Sequence, residues 1–280
     1  MTALHSGIFP ASWIIITIME LRNIIVEKKE GVGRIILNRP EVMNAMNNVL
    51  VDEFWAATED VRADNAITVV IITGAGKAFC SGLDLNYVEE LVNGPILEVG
   101  SLLRKMQAAF RLERLEKPVI AAINGDASGE GCDLALACDF RIVAENARLG
   151  MTYTQLGLVP DTGGACRLIQ LVGLAKAKEL IFFGESIGAQ EALEMGLVDR
   201  VVPSQDLDAA VVELTKRLAT KSTGALGLAK RAINTTLEVS LKATMEFDLR
   251  AQSRRFQSED ARQAIAARIK ELREAKNLPE

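Results

Sequence analysis

Two glycine-rich segments carry the residue types that could do chemistry: Lys77 to Leu85 (KAFCSGLDL) and Asn124 to Asp133 (NGDASGEGCD). Each follows an apolar, β-branched run, Val69 to Thr73 and Pro118 to Ile123, and each leads into a helix-like pattern. Such a place is a strand-to-helix turn, where backbone N–H groups point outward without a partner. Two of these donors converging on one point would form an oxyanion hole. The acceptor that most needs one is a thioester carbonyl whose oxygen gains charge as the acyl chain becomes an enolate; each aimed donor is worth about 3–4 kcal/mol there. Either segment alone reads equally well as an ordinary tight turn, and the pair together points to function.

The chain has a single histidine, His5, near its N-terminus. That rules against Ser-His-Asp and Cys-His triads and against histidine-rich metal sites, and leaves carboxylate, Tyr or Lys to move protons. No metal site is expected. Cys80, Cys132, Cys138 and Cys166 show no CxxC spacing and read as reduced thiols of a cytoplasmic protein. The 280 residues are 49% hydrophobic and 25% charged, ample for a globular core. The net charge is −5 with no basic block, which argues against a nucleic-acid surface.

Two other motif readings fail on spacing. Gly76-Lys77 lacks a P-loop glycine at Ile71, and Ala78 stands where Ser or Thr would hold magnesium; Gly129-Glu130-Gly131 lacks the third glycine of a dinucleotide fingerprint, Leu134 occupying its place.

At these residues the chain resembles the crotonase, or enoyl-CoA hydratase/isomerase, superfamily. The markers appear in family order: Leu37-Asn38-Arg39-Pro40 with Asn44-Ala45; Ala78 to Asp84; Asn124-Gly125 through Cys138-Asp139; Leu156 to Asp161 with Gly163-Gly164; and Gly196-Leu197-Val198 before Val201-Val202-Pro203. The resemblance implies an α/β fold, a crotonase-like spiral of repeated β-β-α units, with a C-terminal helical region that builds trimers or dimers of trimers. It implies an acyl-CoA thioester as substrate, with coenzyme A as part of that substrate and no separate cofactor.

Carried over residue by residue, the oxyanion donors are the backbone N–H groups of Leu83 and Glu130. The N-terminus of the helix starting near Gly131 would add its dipole. The family normally has a small residue at position 130. A carboxylate beside an oxyanion would oppose it, so Glu130 must point away, pair with a cation or be protonated. It reads either as a solvated loop residue or as a group facing the ligand. Hydratases of the family use two carboxylates. The first aligns with Asp133 and the second with Tyr153, a poor general base at neutral pH. Asp161 aligns with the single acid of members that move double bonds, and with the nucleophile of a dehalogenating branch. The bland alternatives are a helix N-cap for Asp161 and a first-turn helix acid for Asp133. By the same resemblance, backbone atoms of Ala78, Ser81, Gly82 and Asp84 hold the adenine, and Lys77 and Arg39 are candidates for phosphate contacts. Arg268 stands where the family's C-terminal signature has phenylalanine.

Residues 1–18 are expected to be an N-terminal extension, with an apolar run at Trp13 to Ile18 too short to span a bilayer and no basic segment before it. Residues 19–205 form the expected spiral core and 206–280 the helical region. Strands are predicted at Ile24 to Val26, Arg34 to Leu37, Val69 to Thr73, Val119 to Ile123 and Phe140 to Val143, with a hairpin turn at Lys29-Glu30-Gly31. Helices are predicted at Val51 to Ala63, Leu102 to Glu116, Gly131 to Ala137, Leu207 to Ala219, Ala225 to Val239 and Leu241 to Lys276, the last broken near Gln257-Ser258. The stripe Met245, Phe247, Leu249, Phe256 is read as a core or trimer face.

The sequence therefore predicts an enzyme that adds water to a 2-enoyl-CoA. The alternatives are a double-bond isomerase using Asp161 alone, a hydratase of a cyclic dienoyl-CoA, and a non-catalytic assembly protein of the same fold. The last would be marked by loss of both acids and a basic surface, and this chain has two acids and is acidic.

Overall fold

The structure, a computed structural model, describes residues 21–275; the expected extension at 1–18 lies outside them. The chain enters through a hairpin of β1 (Ile24–Lys29) and β2 (Val32–Leu37), paired antiparallel from Ile24↔Leu37 to Lys29↔Val32. Its turn has positive φ at Glu30 (48°) and Gly31 (81°), which matches the right-handed twist of a two-residue hairpin. β3 (Val69–Gly74) and β4 (Val119–Ile123) are buried along their whole length, as continuous apolar runs of a parallel sheet should be. With β5 (Ala127–Ser128), β6 (Phe140–Ala144), β7 (Arg148–Gly150), β8 (Ser186–Gly188) and β9 (Arg200–Val202) they form two sheets. One has the order β1-β2-β3-β4-β6-β9, parallel from β2 onward, and the other the order β5-β7-β8.

The helices are α1 (Asn48–Ala63), α2 (Leu85–Asn93), α3 (Ile96–Ala109), α4 (Glu130–Leu136), α5 (Gly164–Phe183), α6 (Ala189–Glu194), α7 (Leu207–Ala219), α8 (Thr223–Arg255) and α9 (Glu259–Ala275). They cover both faces of the larger sheet, and the period of two along each strand divides the core accordingly. Val70 and Ile72 pack with Phe54 of α1 and Met106 of α3, while Val69 and Ile71 pack with Leu207, Ala210 and Val211 of α7.

The structure corrects several sequence boundaries. α3 begins at Ile96 and ends at Ala109, and the chain then makes a separate 3₁₀ turn at Leu112–Arg114 instead of continuing to Glu116. α8 runs unbroken from Thr223 to Arg255, where two helices were expected. The break before α9 falls at Gln257-Ser258, as predicted. The last strand ends at Val202, and among the described residues the elements after Pro203 are a 3₁₀ turn and three helices. Among the described residues no helix is long and apolar enough to cross a membrane.

Candidate active site

Two asparagines shape the first glycine segment. Asn44, held at φ 57° in the left-handed region that Asn tolerates, donates its amide to the carbonyls of Ala75 (2.9 Å), Ala78 (2.8 Å) and Phe79 (3.3 Å), and accepts from Arg39 N (2.9 Å). Asn124 accepts from Gly74 N (3.1 Å) and donates to Gly76 and Ala78 carbonyls (3.1 and 3.3 Å). The loop backbone cannot pair within a strand, so these side chains replace the missing ladder. Gly82, at φ 92°, then turns the next amide, that of Leu83, inward. Asn44→Ala is expected to lower stability by about 1–3 kcal/mol by stranding buried carbonyls, read as a reduced urea midpoint at unchanged m-value.

The second segment is joined to the first backbone to backbone. Phe79 and Cys80 N–H groups both donate to Asp126 O (3.1 Å each), and Ser128 N donates to Cys80 O (2.9 Å). The approach is close enough to require glycine: a Cβ at Gly125 would lie 1.9 Å from Lys77 O, and one at Gly131 2.2 Å from Cys80 O. α4 then starts at Glu130, immediately beside Leu83.

One expected donor already meets an acceptor, and it is the chain's own. Leu83 N–H donates to Glu130 Oε2 at 3.0 Å, and the N–H of Glu130 favours the charge of the same carboxylate. Glu130 is 4% exposed, so it is not the solvated loop residue of the bland reading. Burial pushes its carboxyl up to about 7; its own N–H opposes this, Asp133 adds to it, and Leu83 N–H opposes it.

Asp133 and Asp161 are each 0% exposed. Asp133 Oδ2 accepts from Tyr153 Oη (2.9 Å) and Thr162 Oγ1 (2.7 Å), and no hydrogen-bond partner lies at Oδ1. Burial raises its pKa, opposed by the Thr162 and Tyr153 hydroxyls and the nearby Arg167. Asp161 is not the helix cap that the sequence allowed, because α5 starts at Gly164 with Gly163 at the N-cap. Its Oδ2 accepts from Gln252 Nε2 (3.1 Å), and its Oδ1 is likewise without a partner. Burial drives its pKa well above the carboxylate range, the charges of Glu130, Asp133 and Asp248 add, and only the Gln252 amide opposes. Tyr153 is also raised well above its ordinary value by burial and by these carboxylates, which removes it as a neutral-pH base. The Gly163-Gly164 pair makes room for the acids: a Cβ on Gly164 would lie 1.5 Å from Asp133 Oδ1.

Several members of the cluster were not singled out from sequence. Gln107 donates to Asp161 O (2.6 Å) and Met245 O (2.8 Å), and Gln252 accepts from Val159 N (2.9 Å), so two buried glutamines tie the Asp161 turn to α8. Asp248, one turn before Gln252, is a fourth buried carboxylate; burial pushes it up to about 8, with Asp133 adding. For Asp248 and Gln252 the signal was available as polar residues on the same helical stripe as Met245, Leu249 and Phe256; Gln107, on α3, had no such signal.

The chain as a whole matches a known family. Residues 27–276 match the family model described as Enoyl-CoA hydratase/isomerase. The chain belongs to the enoyl-CoA hydratase/isomerase family. It is 38% identical over 252 residues to a short-chain-enoyl-CoA hydratase of Clostridium acetobutylicum, covering 90% of this chain and 96% of that one. It is 39% identical over 251 residues to a crotonyl-CoA hydratase of Syntrophomonas wolfei, covering 89% and 95%. The crystal structure of an enoyl-CoA hydratase/isomerase from Mycobacterium paratuberculosis superposes with a TM-score of 0.82 at 32% identity, covering 88% and 98%. The crotonase resemblance and the mixed α/β fold with C-terminal helices read from the motifs are thereby borne out.

In this member of the enoyl-CoA hydratase/isomerase family the residues expected to meet coenzyme A lie along one edge of the first loop. Lys77 is exposed. Arg39 pairs with Asp84 (2.9 Å) and donates to Ala45 O (2.6 Å). Ala78 O, Ser81 N, Gly82 O and Asp84 N are all engaged in hydrogen bonds within the protein, and Asp84 Oδ1 accepts from Asn86 N (3.1 Å) at the start of α2. Arg268 is exposed and pairs with Glu271 (3.0 Å).

Proposed function

We propose that this chain hydrates a 2-enoyl-CoA thioester. The observation that carries the reading is the Leu83 amide, aimed at the start of α4 and donating there to a carboxylate oxygen of Glu130, as it would to an enolate oxygen. Water adds through its oxygen to the β-carbon and gives a proton to Asp133, while Asp161 delivers its proton to the α-carbon of the enolate. A proton returned from Asp133 to Asp161 restores the starting state. The two acids are suited to opposite roles by their surroundings. Burial raises both, but at Asp133 two hydroxyl donors and a nearby guanidinium oppose the rise, whereas at Asp161 the neighbouring carboxylates add to it against one amide donor, so Asp161 is the one held protonated.

Coenzyme A would lie along residues 77–84, with Lys77 reaching the phosphates and Arg39 doing so only by leaving Asp84. Exposed Ile169, Leu174, Phe182 and Phe183 of α5 with Leu228 and Ile233 of α8 support assembly into a homotrimer or a dimer of trimers. Four buried cysteines, none of them in a disulfide among the described residues, support a reducing, cytoplasmic setting.

A second reading is favoured by Tyr153, which leaves the position of the second family carboxylate without one. In it Asp161 alone moves the proton, and a double bond migrates. The test is turnover of crotonyl-CoA against a 3-enoyl-CoA, with products separated. Formation of 3-hydroxybutyryl-CoA from crotonyl-CoA is the expected result; conversion of the 3-enoyl substrate alone would give the isomerase reading instead.

A further inference from the structure

The Leu83 amide, which should hold a thioester oxygen, already holds a carboxylate. Glu130 Oε2 is 3.0 Å from Leu83 N, and an ideal Cβ on Gly82 would lie 3.0 Å from the same oxygen, so the carboxylate sits against the wall of the hole and not at its rim. Among the described residues no cation is paired with it; the titratable groups facing it are Asp133 on its own helix, Asp161 and Tyr153 from the turns on either side, and Cys80 from the first loop.

Resting on the reading above, we propose that the Glu130 side chain is a built-in competitor for the oxyanion hole, so that an acyl-CoA binds only by displacing it, and the displaced group takes up a proton. The anchoring of Glu130 at the start of α4, whose residues 130–136 are all buried, keeps the displaced carboxyl inside the site. There it loses the Leu83 N–H that favours its charge while keeping the burial and the acidic neighbours that oppose it. The balance is therefore one proton gained from solvent for each thioester seated, with no bond made or broken in the ligand. Among the facing groups, Cys80 is pushed up to about 12 and Tyr153 well above its ordinary value, so neither exchanges a proton near neutrality. Asp161 already holds its proton, so Asp133 remains as the rival proton acceptor, and a variant at Glu130 separates the two.

The sign follows from the displacement. With the Glu130 carboxyl at about 7 in the free chain, affinity for a thioester should be constant at lower pH and fall about tenfold per pH unit above it, because binding then requires proton uptake. A carboxylate swung out to solvent would do the reverse and release a proton.

The experiment is calorimetric titration of the full chain with butyryl-CoA, a saturated thioester that cannot be hydrated, at pH 8 in two buffers of different ionisation enthalpy, repeated from pH 6 to 9. The native chain should take up close to one proton per site. Glu130→Gln should bind with no uptake and with affinity independent of pH, and Glu130→Gly should bind more tightly than the native chain at pH 8. Native binding with proton release or none, or undiminished uptake in Glu130→Gln, overturns the proposal and leaves the hydratase reading standing. Failure of all three proteins to bind butyryl-CoA defeats the hydratase reading itself and this proposal with it.

Discussion

Asp133→Asn should lower kcat for hydration of a 2-enoyl-CoA by about 10²–10⁴-fold with little change in KM, the range expected when a positioned general base is lost. The substitution keeps the shape of the side chain. Asn can still accept from Tyr153 and Thr162 at the oxygen that now lies 2.9 and 2.7 Å from them, so the hydroxyls that anchor Asp133 remain satisfied. What is lost is the capacity to take a proton at Oδ1, the oxygen with no hydrogen-bond partner among the described residues. Folding is followed by thermal midpoint, which should not fall, since removing one of four buried carboxylates relieves like-charge repulsion. Turnover within an order of magnitude of native, on a folded protein, would remove Asp133 from the mechanism and move the base to another group.

Gly131→Ala is expected to be damaging for a purely steric reason. A Cβ there would lie 2.2 Å from the carbonyl oxygen of Cys80 and 2.8 Å from its Cβ, contacts with backbone and a buried side chain that cannot rotate away. The two glycine segments must separate, and with them the amides of Leu83 and Glu130. Overpacking of this kind costs about 1–3 kcal/mol of stability, and misplacing an oxyanion donor costs about 10²–10³ in kcat. Gly224→Ala is the control: nothing lies within 4 Å of its added Cβ, and alanine is the better residue in a helix, so that variant should be as active as native and no less stable. If Gly131→Ala retained native turnover, the two amides would not be acting together on the substrate.

Much of the architecture was readable before any coordinates because it depends on local pattern. The strands at Val69–Gly74 and Val119–Ile123 are continuous apolar runs between turn residues, and the break before α9 is marked by Ser258 with two acids after it. The helix boundaries that were misplaced, at α3 and within α8, lie where the apolar period continues past the element's end or across a polar patch, so that only packing against neighbouring elements settles which turns form. Gln107, Asp248 and Gln252 went unremarked for a related reason. A polar residue on an amphipathic helix looks the same in sequence whether it meets solvent or a buried carboxylate.

By itself the sequence determined the two glycine segments, their order among five family motifs, and the presence of acids at 130, 133 and 161, because glycine and carboxylate placement is a local property of the chain. Tertiary structure alone decided what those acids do to one another. Burial and mutual approach across separate loops, which no spacing records, raise Glu130 and Asp161 while hydroxyls anchor Asp133, and the same approach folds Glu130 onto the Leu83 amide. Desolvation depends on everything that surrounds a group in space, and for these residues most of that comes from distant parts of the chain.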